Sequence, residues 1–217
     1  MLVKCPCIKQ ISSGLSDYTY TLTLALIFIL SSCVSLPQPT VSLNSSAHQL
    51  SLKQQNHWSV KGKLGFKSPE KKNRSANFRW QQSQKQYKLN LFMPIIGKSL
   101  LNMQGDKNGV TLVTDDKTYQ HSDPSYLIWR ETGWRIPVEK LRFWIKGQHH
   151  KHDKVLTSEE GWVSQLQPIC NNCEHWLINY DNYKLIDEVW LPHKMVLKNS
   201  LDNSQLIIKV NEWYLHE

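Results

Sequence analysis

The sequence predicts a mainly β protein with one folded domain, in which an antiparallel sheet curls into a closed or nearly closed barrel around a hydrophobic cavity. Apolar and polar residues alternate with a period of two along much of the chain after residue 57, which indicates half-buried strands. The connections between these runs are short, which favours antiparallel pairing. Only two short helical segments are available to cover the apolar face, so a barrel with a helical lid buries it most economically.

The first three strands show the clearest alternation. Trp58, Val60, Leu64 and Phe66 fall on one face of the first strand, with lysines on the other face. The pattern recurs over 76–81 and 87–91, and the polar segment 68–74 is typical of a hairpin loop. Further strand-like runs lie near Ser99 to Gln104, Val110 to Thr114, Trp162 to Gln167, His175 to Tyr180, Lys194 to Lys198 and Gln205 to Trp213.

Two helices are predicted between these strands. Asp123 and Pro124 supply an N-cap and a first-turn proline for one helix, and Pro137 opens the other. Gly133 and Gly147 mark where the two helices end. Helices placed in the middle of a meander usually cover one face or one mouth of the sheet, so we expect them to form the lid.

The N-terminal segment has the features of a bacterial lipoprotein signal. Lys4 and Lys9 lie in a basic leader, an apolar run follows, and Leu30-Ser31-Ser32-Cys33 ends it with small residues before a cysteine. The apolar stretch of about 13 residues is shorter than the roughly 20 that a helix needs to span a bilayer. We predict a signal peptide over residues 1–32 and acylation of Cys33. The alternative is a buried helix or an uncleaved anchor.

Residues 33–56 are predicted to form a flexible, lipidated tether, because Ser, Gln, Asn and Pro dominate them and periodicity is weak. Residues 57–217 then form the β-barrel domain. This domain has about 160 residues, enough for a single core without disulfide support.

The chain is basic, with 26 Lys and Arg against 18 Asp and Glu and a net charge of +8. Such a charge fits anionic lipid, nucleic acid or an acidic protein. An exported lipoprotein does not normally meet nucleic acid, so we expect no nucleic-acid partner. The lysines are spread along the strands, which is equally typical of a solvated face.

These features together resemble the family of the outer-membrane lipoprotein receptor LolB. Besides the lipobox and the tether, the resemblance rests on the strand Trp58 to Phe66, the strands Phe78-Arg79-Trp80-Gln81-Gln82 and Tyr87-Lys88-Leu89-Asn90-Leu91, the turn Pro94-Ile95-Ile96-Gly97 and the helix Ile136 to Gly147. The resemblance covers most of the chain after Cys33. It consists of the order and spacing of these segments and includes no catalytic signature. Val34 after Cys33, instead of Asp, is similar to the family's outer-membrane sorting preference.

The resemblance implies an unclosed antiparallel barrel with an internal helical lid. It also implies a function: receiving acylated lipoproteins from the periplasmic carrier LolA and inserting them into the inner leaflet of the outer membrane. The protein itself would be lipid-anchored in that membrane, facing the periplasm, and we expect a monomer. We expect no cofactor, because passive transfer needs no nucleotide and the domain contains no glycine-rich phosphate loop.

The turn at Pro94–Gly97 matches the family loop that carries an exposed apolar residue for inserting cargo. Ile95 or Ile96 is the corresponding residue, and the loop is one residue longer than the family's Pro-Leu-Gly form, which leaves both possible. Both could instead pack beneath a strand end, although two adjacent apolar residues between Pro and Gly cannot easily both point inward.

The apolar face and the lid supply candidates for an acyl-binding cavity, each of which could equally be an ordinary core residue. They are Val60, Leu64, Phe66, Phe78, Trp80, Leu89 and Leu91 on the strands, and Trp129, Leu141, Trp144 and Ile145 on the lid.

Cys170 and Cys173 depart from the family pattern. In an oxidising periplasm their spacing favours a local disulfide, with two idle thiols as the alternative. A redox role is disfavoured, because strands surround the pair and thiol exchange prefers a helix N-terminus.

Histidines at 149, 150, 152 and 175 invite a metal hypothesis, but the first three lie in a polar run that is more simply a solvated loop. We therefore predict no metal site, and no catalytic residues, because local patterns assemble no nucleophile with its base. The favoured function is binding and transfer of lipidated cargo, not an enzyme activity. The alternative is a lipid-anchored envelope-assembly or interaction module with a solid barrel core, in which no acyl-sized void would exist.

Overall fold

The computed structural model describes residues 43–216, apart from residues 172 and 174. The predicted signal peptide, Cys33 and the first part of the tether lie outside the described residues. The described part contains α1 (Ser45–Gln54), β1 (His57–Ser68), β2 (Lys71–Ser83), β3 (Gln86–Phe92), β4 (Ser99–Gly105), β5 (Val110–Val113), β6 (Thr118–His121), α2 (Pro124–Thr132), α3 (Val138–Trp144), β7 (Lys154–Thr157), β8 (Val163–Gln167), β9 (Trp176–Ile186), β10 (Val189–Asn199) and β11 (Gln205–Leu215).

All eleven strands join one sheet in the order β6-β5-β4-β3-β2-β1-β11-β10-β9-β8-β7, and every pairing is antiparallel. The first and last strands pair, so the sheet edges are β6 and β7, which do not pair with each other within the described chain. The chain crosses from one edge to the other through α2 and α3. The predicted mainly β, incomplete antiparallel barrel with a short helical lid is confirmed.

Cross-strand register turns the sequence alternation into one continuous apolar surface. Val60 lies opposite Trp80, Trp80 opposite Leu89, Leu89 opposite Met103 and Met103 opposite Leu112. All five side chains are buried. Because side chains on one face are stacked across neighbouring strands, this row forms the floor of the core.

The strands extend beyond the predicted runs. β2 begins at Lys71, so the predicted loop over 68–74 shrinks to a turn at Pro69 and Glu70. β6 and β7 were not predicted, since each has four residues and most of them are exposed. Their pairing partners, and not an apolar alternation of their own, place these two strands in the sheet.

The prediction of a flexible tether over 33–56 is wrong for residues 45–54, which form α1. Asn44 caps this helix by accepting a hydrogen bond from the backbone N–H of Ala47 at 3.1 Å. Leu52 is completely buried. Tertiary contacts hold the helix, and the polar sequence gives no sign of them. Gln49 Nε2 donates to the carbonyl oxygen of Gly147 at 3.0 Å, and His48 Nε2 lies 2.8 Å from the carbonyl oxygen of Trp190.

The capping residues correctly predict both ends of α2 and the start of α3, whereas α3 ends at Trp144, three residues before Gly147. Asp123 Oδ1 accepts from the backbone N–H of Ser125 at 2.8 Å, and Pro124 occupies the first turn of α2. Gly133 ends α2 in the left-handed region with φ of 71°. No helix among residues 43–216 is both long and apolar enough to cross a membrane.

Candidate functional site

The interior wall lies where the sequence predicts it. The seven strand residues proposed for the cavity are all buried and belong to one apolar cluster; they are Val60, Leu64, Phe66, Phe78, Trp80, Leu89 and Leu91. Their burial follows from the two-residue period of β1, β2 and β3.

The lid contributes a different set of α2 residues from the one predicted. Leu141, Trp144 and Ile145 are buried as expected, but Trp129 is 43% exposed and points away from the core. A helix of nine residues buries one stripe, and in α2 this stripe is taken by Leu127 and Ile128, both completely buried. Trp129 is therefore not part of the interior in this structure.

Aromatic packing closes the interior in the described conformation. The ring of Phe66 on β1 stacks on that of Trp134, with centroids 5.7 Å apart and planes inclined by 14°. Trp58 contacts both Trp80 and Trp213, each at a centroid distance of 5.6 Å. Neither Trp134 nor Trp213 was among the predicted cavity residues; the large apolar side chain of tryptophan is the signal that could have identified them. Aromatic rings therefore cover the wall residues Trp58, Phe66 and Trp80.

An opening of about 380 Å³ lies between the end of α2 and the strands β2 to β5. Its apolar lining is formed by Leu91, Met93, Leu100, Leu101 and Trp134. Pockets for small ligands typically start at about 300 Å³. Of the predicted wall residues, Leu91 alone is among those lining this opening, which we call the mouth.

A second, larger opening of about 1020 Å³ lies where β2 meets β3 and β4 meets β5. Polar residues such as Gln82, Gln104 and Asn108 line much of it, with Trp58 and Tyr87 beside them. Burial raises the pKa of the Tyr87 hydroxyl well above its usual value, so this phenol stays neutral at physiological pH. The polar lining makes the second opening a poorer match for an acyl chain than the mouth.

The loop between β3 and β4 presents both predicted isoleucines to solvent. Ile95 is 96% exposed and Ile96 is 70% exposed. The backbone N–H of Gly97 donates to the carbonyl oxygen of Met93 at 3.1 Å, with Gly97 at φ of 65°. Met93 also lines the mouth, so the exposed apolar loop lies next to the mouth.

A buried lysine joins the lid to α1. Lys146 is 3% exposed, and its Nζ donates to the carbonyl oxygens of Leu52 and Gln55, each at 2.8 Å. Burial, with a smaller contribution from nearby Arg142, lowers the pKa of Lys146 to about 8. Sequence analysis missed this residue, because a single lysine at a helix end gives no signal of burial.

Strand β9 carries a buried tyrosine, Tyr180, and a half-buried one, Tyr183. The Tyr180 hydroxyl has no hydrogen-bond partner among the described residues, and burial raises its pKa strongly. Tyr183 donates from its hydroxyl to the carbonyl oxygen of Val163 at 2.9 Å, and burial raises its pKa as well. Both phenols stay protonated at neutral pH and act as packing groups.

Cys170 and Cys173 form a disulfide with their Cα atoms 5.4 Å apart, in the segment between β8 and β9. The three histidines at 149, 150 and 152 lie in the predicted loop after the lid. Within the described part of the chain, no group of three or more His, Cys, Asp or Glu residues could hold a metal ion.

The fold and the covered apolar interior define a mainly β protein with an incomplete antiparallel barrel and a helical lid. The fold is similar to that of a LolA superfamily protein from Nitrosomonas europaea, with a TM-score of 0.50 at 9% identity over 81% of this chain and 95% of that one. The family model described as outer membrane lipoprotein LolB matches residues 56–213. The chain belongs to this family.

Relatives named outer-membrane lipoprotein LolB support the assignment over nearly the whole chain. The protein from Vibrio cholerae is 32% identical over 197 residues, covering 88% of this chain and 94% of its own. The one from Tolumonas auensis is 33% identical, covering 88% and 96%.

Proposed function

We propose that this protein accepts acylated lipoproteins from a LolA-like periplasmic carrier and inserts them into the inner leaflet of the outer membrane. The observation that carries this function is the apolar interior beside a mouth and two exposed isoleucines. Membership of the LolB family supports it. The protein itself is anchored through acylated Cys33 and faces the periplasm.

The energetics of the cargo require such an interior. Burying each CH₂ group is worth about 0.8 kcal/mol, so exposing one long acyl chain to water costs on the order of 10 kcal/mol. Cargo therefore passes between apolar environments: the carrier's interior, this interior and the membrane. Differences in affinity along this path supply the direction, so no nucleotide or other cofactor is needed.

The lid must move for an acyl chain to enter, because it occupies the interior. The segment from Trp134 to Lys146 lies between Gly133 and Gly147, which have φ of 71° and 78°. Left-handed glycines allow backbone changes that other residues resist. Separation of Trp134 from Phe66 would join the mouth to the wall residues beneath the lid.

The exposed loop acts at the other end of the transfer. An exposed isoleucine gains free energy by entering the acyl region of a leaflet, and Ile95 and Ile96 can both do so from the same turn. Because Met93 connects this loop to the mouth, cargo released there meets the membrane directly. Ile95, with almost its whole side chain exposed, is our first choice for the inserting residue.

A transfer assay with cargo labelled on its acyl chains tests the function. Labelled lipoprotein bound to the carrier is mixed with this protein and acceptor vesicles, and the label is followed in each fraction. We expect it to leave the carrier, pass through this protein and reach the vesicles. Failure to take cargo under conditions in which another family member does so would overturn the proposal.

A further inference from the structure

The outward face of the sheet carries a group of lysines that the proposed transfer of acyl chains does not explain. The group consists of Lys63 and Lys67 on β1, Lys194 and Lys198 on β10, and Lys209 on β11. Each follows a buried residue and therefore points away from the core. We call this group the lysine face.

The register of the strands brings these lysines together. Lys63 lies directly opposite Lys209, and Lys209 lies directly opposite Lys194. Because neighbouring strands are about 4.8 Å apart, three cationic side chains emerge side by side. The other two lysines flank Gln205, four residues along their strands, which is about 13 Å away. Five cations thus share a patch of about 10 by 13 Å.

Little in the fold neutralises this charge. Lys194 pairs with Asp181 at 2.8 Å, but no carboxylate in the described chain lies within ion-pair distance of the other four lysines. Like charges directly opposite each other destabilise a sheet. Lysines often protect a sheet edge, but β10, β11 and β1 are central strands. The face therefore has a surplus of positive charge that an external anion would compensate.

The surface between the lysines is apolar, and its side chains are short. Val196 lies opposite Ile207, and Ile207 opposite Gly65, between the two rows of lysines. Both apolar side chains are half-buried, and a Cβ placed on Gly65 would meet no atom within 4 Å. The aliphatic parts of lysines pack on such a floor while the ammonium groups reach outward. A cationic rim around an apolar floor suits the headgroup region of a phospholipid layer.

The lysine face is continuous with the loop between β3 and β4, Pro94 to Gly97, which we call the isoleucine loop. Lys63 lies opposite Asn77, and Asn77 lies opposite Phe92 at the end of β3. Asn77 also donates from Nδ2 to the carbonyl oxygen of Pro94 at 3.5 Å, which holds the loop on the outward side of β2. Two strand spacings, about 10 Å, separate the loop from the nearest lysine strand.

We propose that the lysine face binds the headgroups of anionic phospholipids and lays the barrel side-on against the membrane that receives the cargo. This proposal rests on the proposed function, which places the exposed isoleucines at that membrane. An acidic protein partner would also match the charge. A membrane is the better match, because the same surface carries two isoleucines that gain free energy in an apolar medium. Lysines beside exposed apolar residues are typical of peripheral membrane binding.

Vesicle binding tests the proposal without cargo or carrier. The chain from Val34 onward contains the whole described fold and lacks the acylated cysteine. Its partitioning is measured on phosphatidylcholine vesicles and on vesicles in which about one third is phosphatidylglycerol. Each lysine near an anionic surface contributes about a fivefold factor in affinity, so Lys63→Gln with Lys209→Gln should weaken binding to the anionic vesicles at least tenfold. Binding to phosphatidylcholine should not change.

Two further variants make the result specific. Lys85→Gln with Lys107→Gln removes the same charge from exposed turns outside the face, and should leave most of the binding intact. Lys63→Arg with Lys209→Arg keeps the charge and should bind like the wild type. Ile95→Asp with Ile96→Asp should weaken binding to both kinds of vesicle, which separates the loop from the face.

The outcomes decide the proposal in either direction. Equal binding of the wild type and the Lys63/Lys209 glutamine variant to anionic vesicles overturns it, as does an equal loss in the Lys85/Lys107 control. A glutamine variant that binds vesicles normally but takes no cargo from the carrier assigns the face to an acidic protein instead. Wild-type protein that binds anionic vesicles through the face but transfers no cargo contradicts the proposed function and leaves this inference standing.

Discussion

Lys146 connects the end of the lid to the N-terminal helix, because its Nζ donates a 2.8 Å hydrogen bond to the carbonyl oxygen of Leu52. A second bond of the same length reaches the carbonyl oxygen of Gln55. These carbonyls lie at the C-terminal end of α1, where a helix has no partners of its own. Docking of α1 and the position of the lid are therefore coupled through one buried side chain.

This arrangement predicts a specific dependence of stability on pH. Burial lowers the pKa of Lys146 to about 8 from 10.5, so between these values the unfolded chain binds more protons than the folded one. The free energy of unfolding should then rise with pH above about 8, by up to roughly 3 kcal/mol in total. The neutral amine still has two N–H donors for its two carbonyls. Urea unfolding between about pH 7 and pH 9, below the range in which tyrosines ionise, measures the first part of the rise.

The Lys146→Met variant is the control for this dependence. It removes the titrating group and should show a much smaller rise over the same range. It should also loosen α1, because two buried carbonyls lose their donor. A rise of equal size in the variant would show that another group is responsible.

Gly147 should resist substitution for two separable reasons. Its φ is 78°, and a Cβ there would lie 2.7 Å from the Tyr183 hydroxyl oxygen. We expect Gly147→Ala to reduce the free energy of unfolding by about 1–2 kcal/mol or more. In a Tyr183→Phe background the cost should be smaller, because the obstructing oxygen is gone. Denaturant unfolding of the four proteins gives the difference, and equal costs in both backgrounds would exclude the contact as a cause.

The isoleucine loop should separate cargo acceptance from cargo insertion. Ile95→Asp with Ile96→Asp should leave the free energy of unfolding within about 0.5 kcal/mol of the wild type, because both side chains are exposed. Cargo should still leave the carrier, but its incorporation into vesicles should fall several-fold. Leu185→Asp, an exposed leucine on β9, is the matched control and should behave as the wild type. Normal incorporation by the double variant would refute the role of the loop.

A carboxylate should destabilise the protein strongly on one face of β2 and hardly at all on the other. Trp80 is 2% exposed, and Trp80→Asp should abolish folding or cost more than about 4 kcal/mol, because it buries an unpaired carboxylate. Gln81, the next residue, is exposed, and Gln81→Asp should change stability by less than about 0.5 kcal/mol. Circular dichroism and urea unfolding of the two variants compare them directly. Similar behaviour would mean that the apolar face of β2 is misassigned.

Local patterns predicted the parts of this protein that local physics controls. The alternation in β1, β2 and β3 identified the buried wall, because side chains on a strand must alternate between faces. Asp123, Pro124 and Gly133 predicted where α2 begins and ends. The sequence also predicted an exposed apolar residue between Pro94 and Gly97, and both Ile95 and Ile96 are exposed.

Predictions failed where distant contacts decide the structure. α1 lies in a segment with no apolar period, and it is held by residues about a hundred positions away, such as Gly147 and Lys146. Trp129 faces outward because Leu127 and Ile128 take the single stripe that α2 can bury. The four-residue strands β6 and β7 exist through their pairing partners.

The sequence by itself determined the class of fold, the apolar wall, both ends of α2 and the exposed loop, because each depends on neighbours within a few residues. Tertiary structure alone decided that β1 pairs with β11, that Trp134 stacks on Phe66 and that Lys146 is buried. It also placed Lys63 beside Lys209 from opposite ends of the chain. These relationships depend on register and packing between distant segments, which no local pattern encodes.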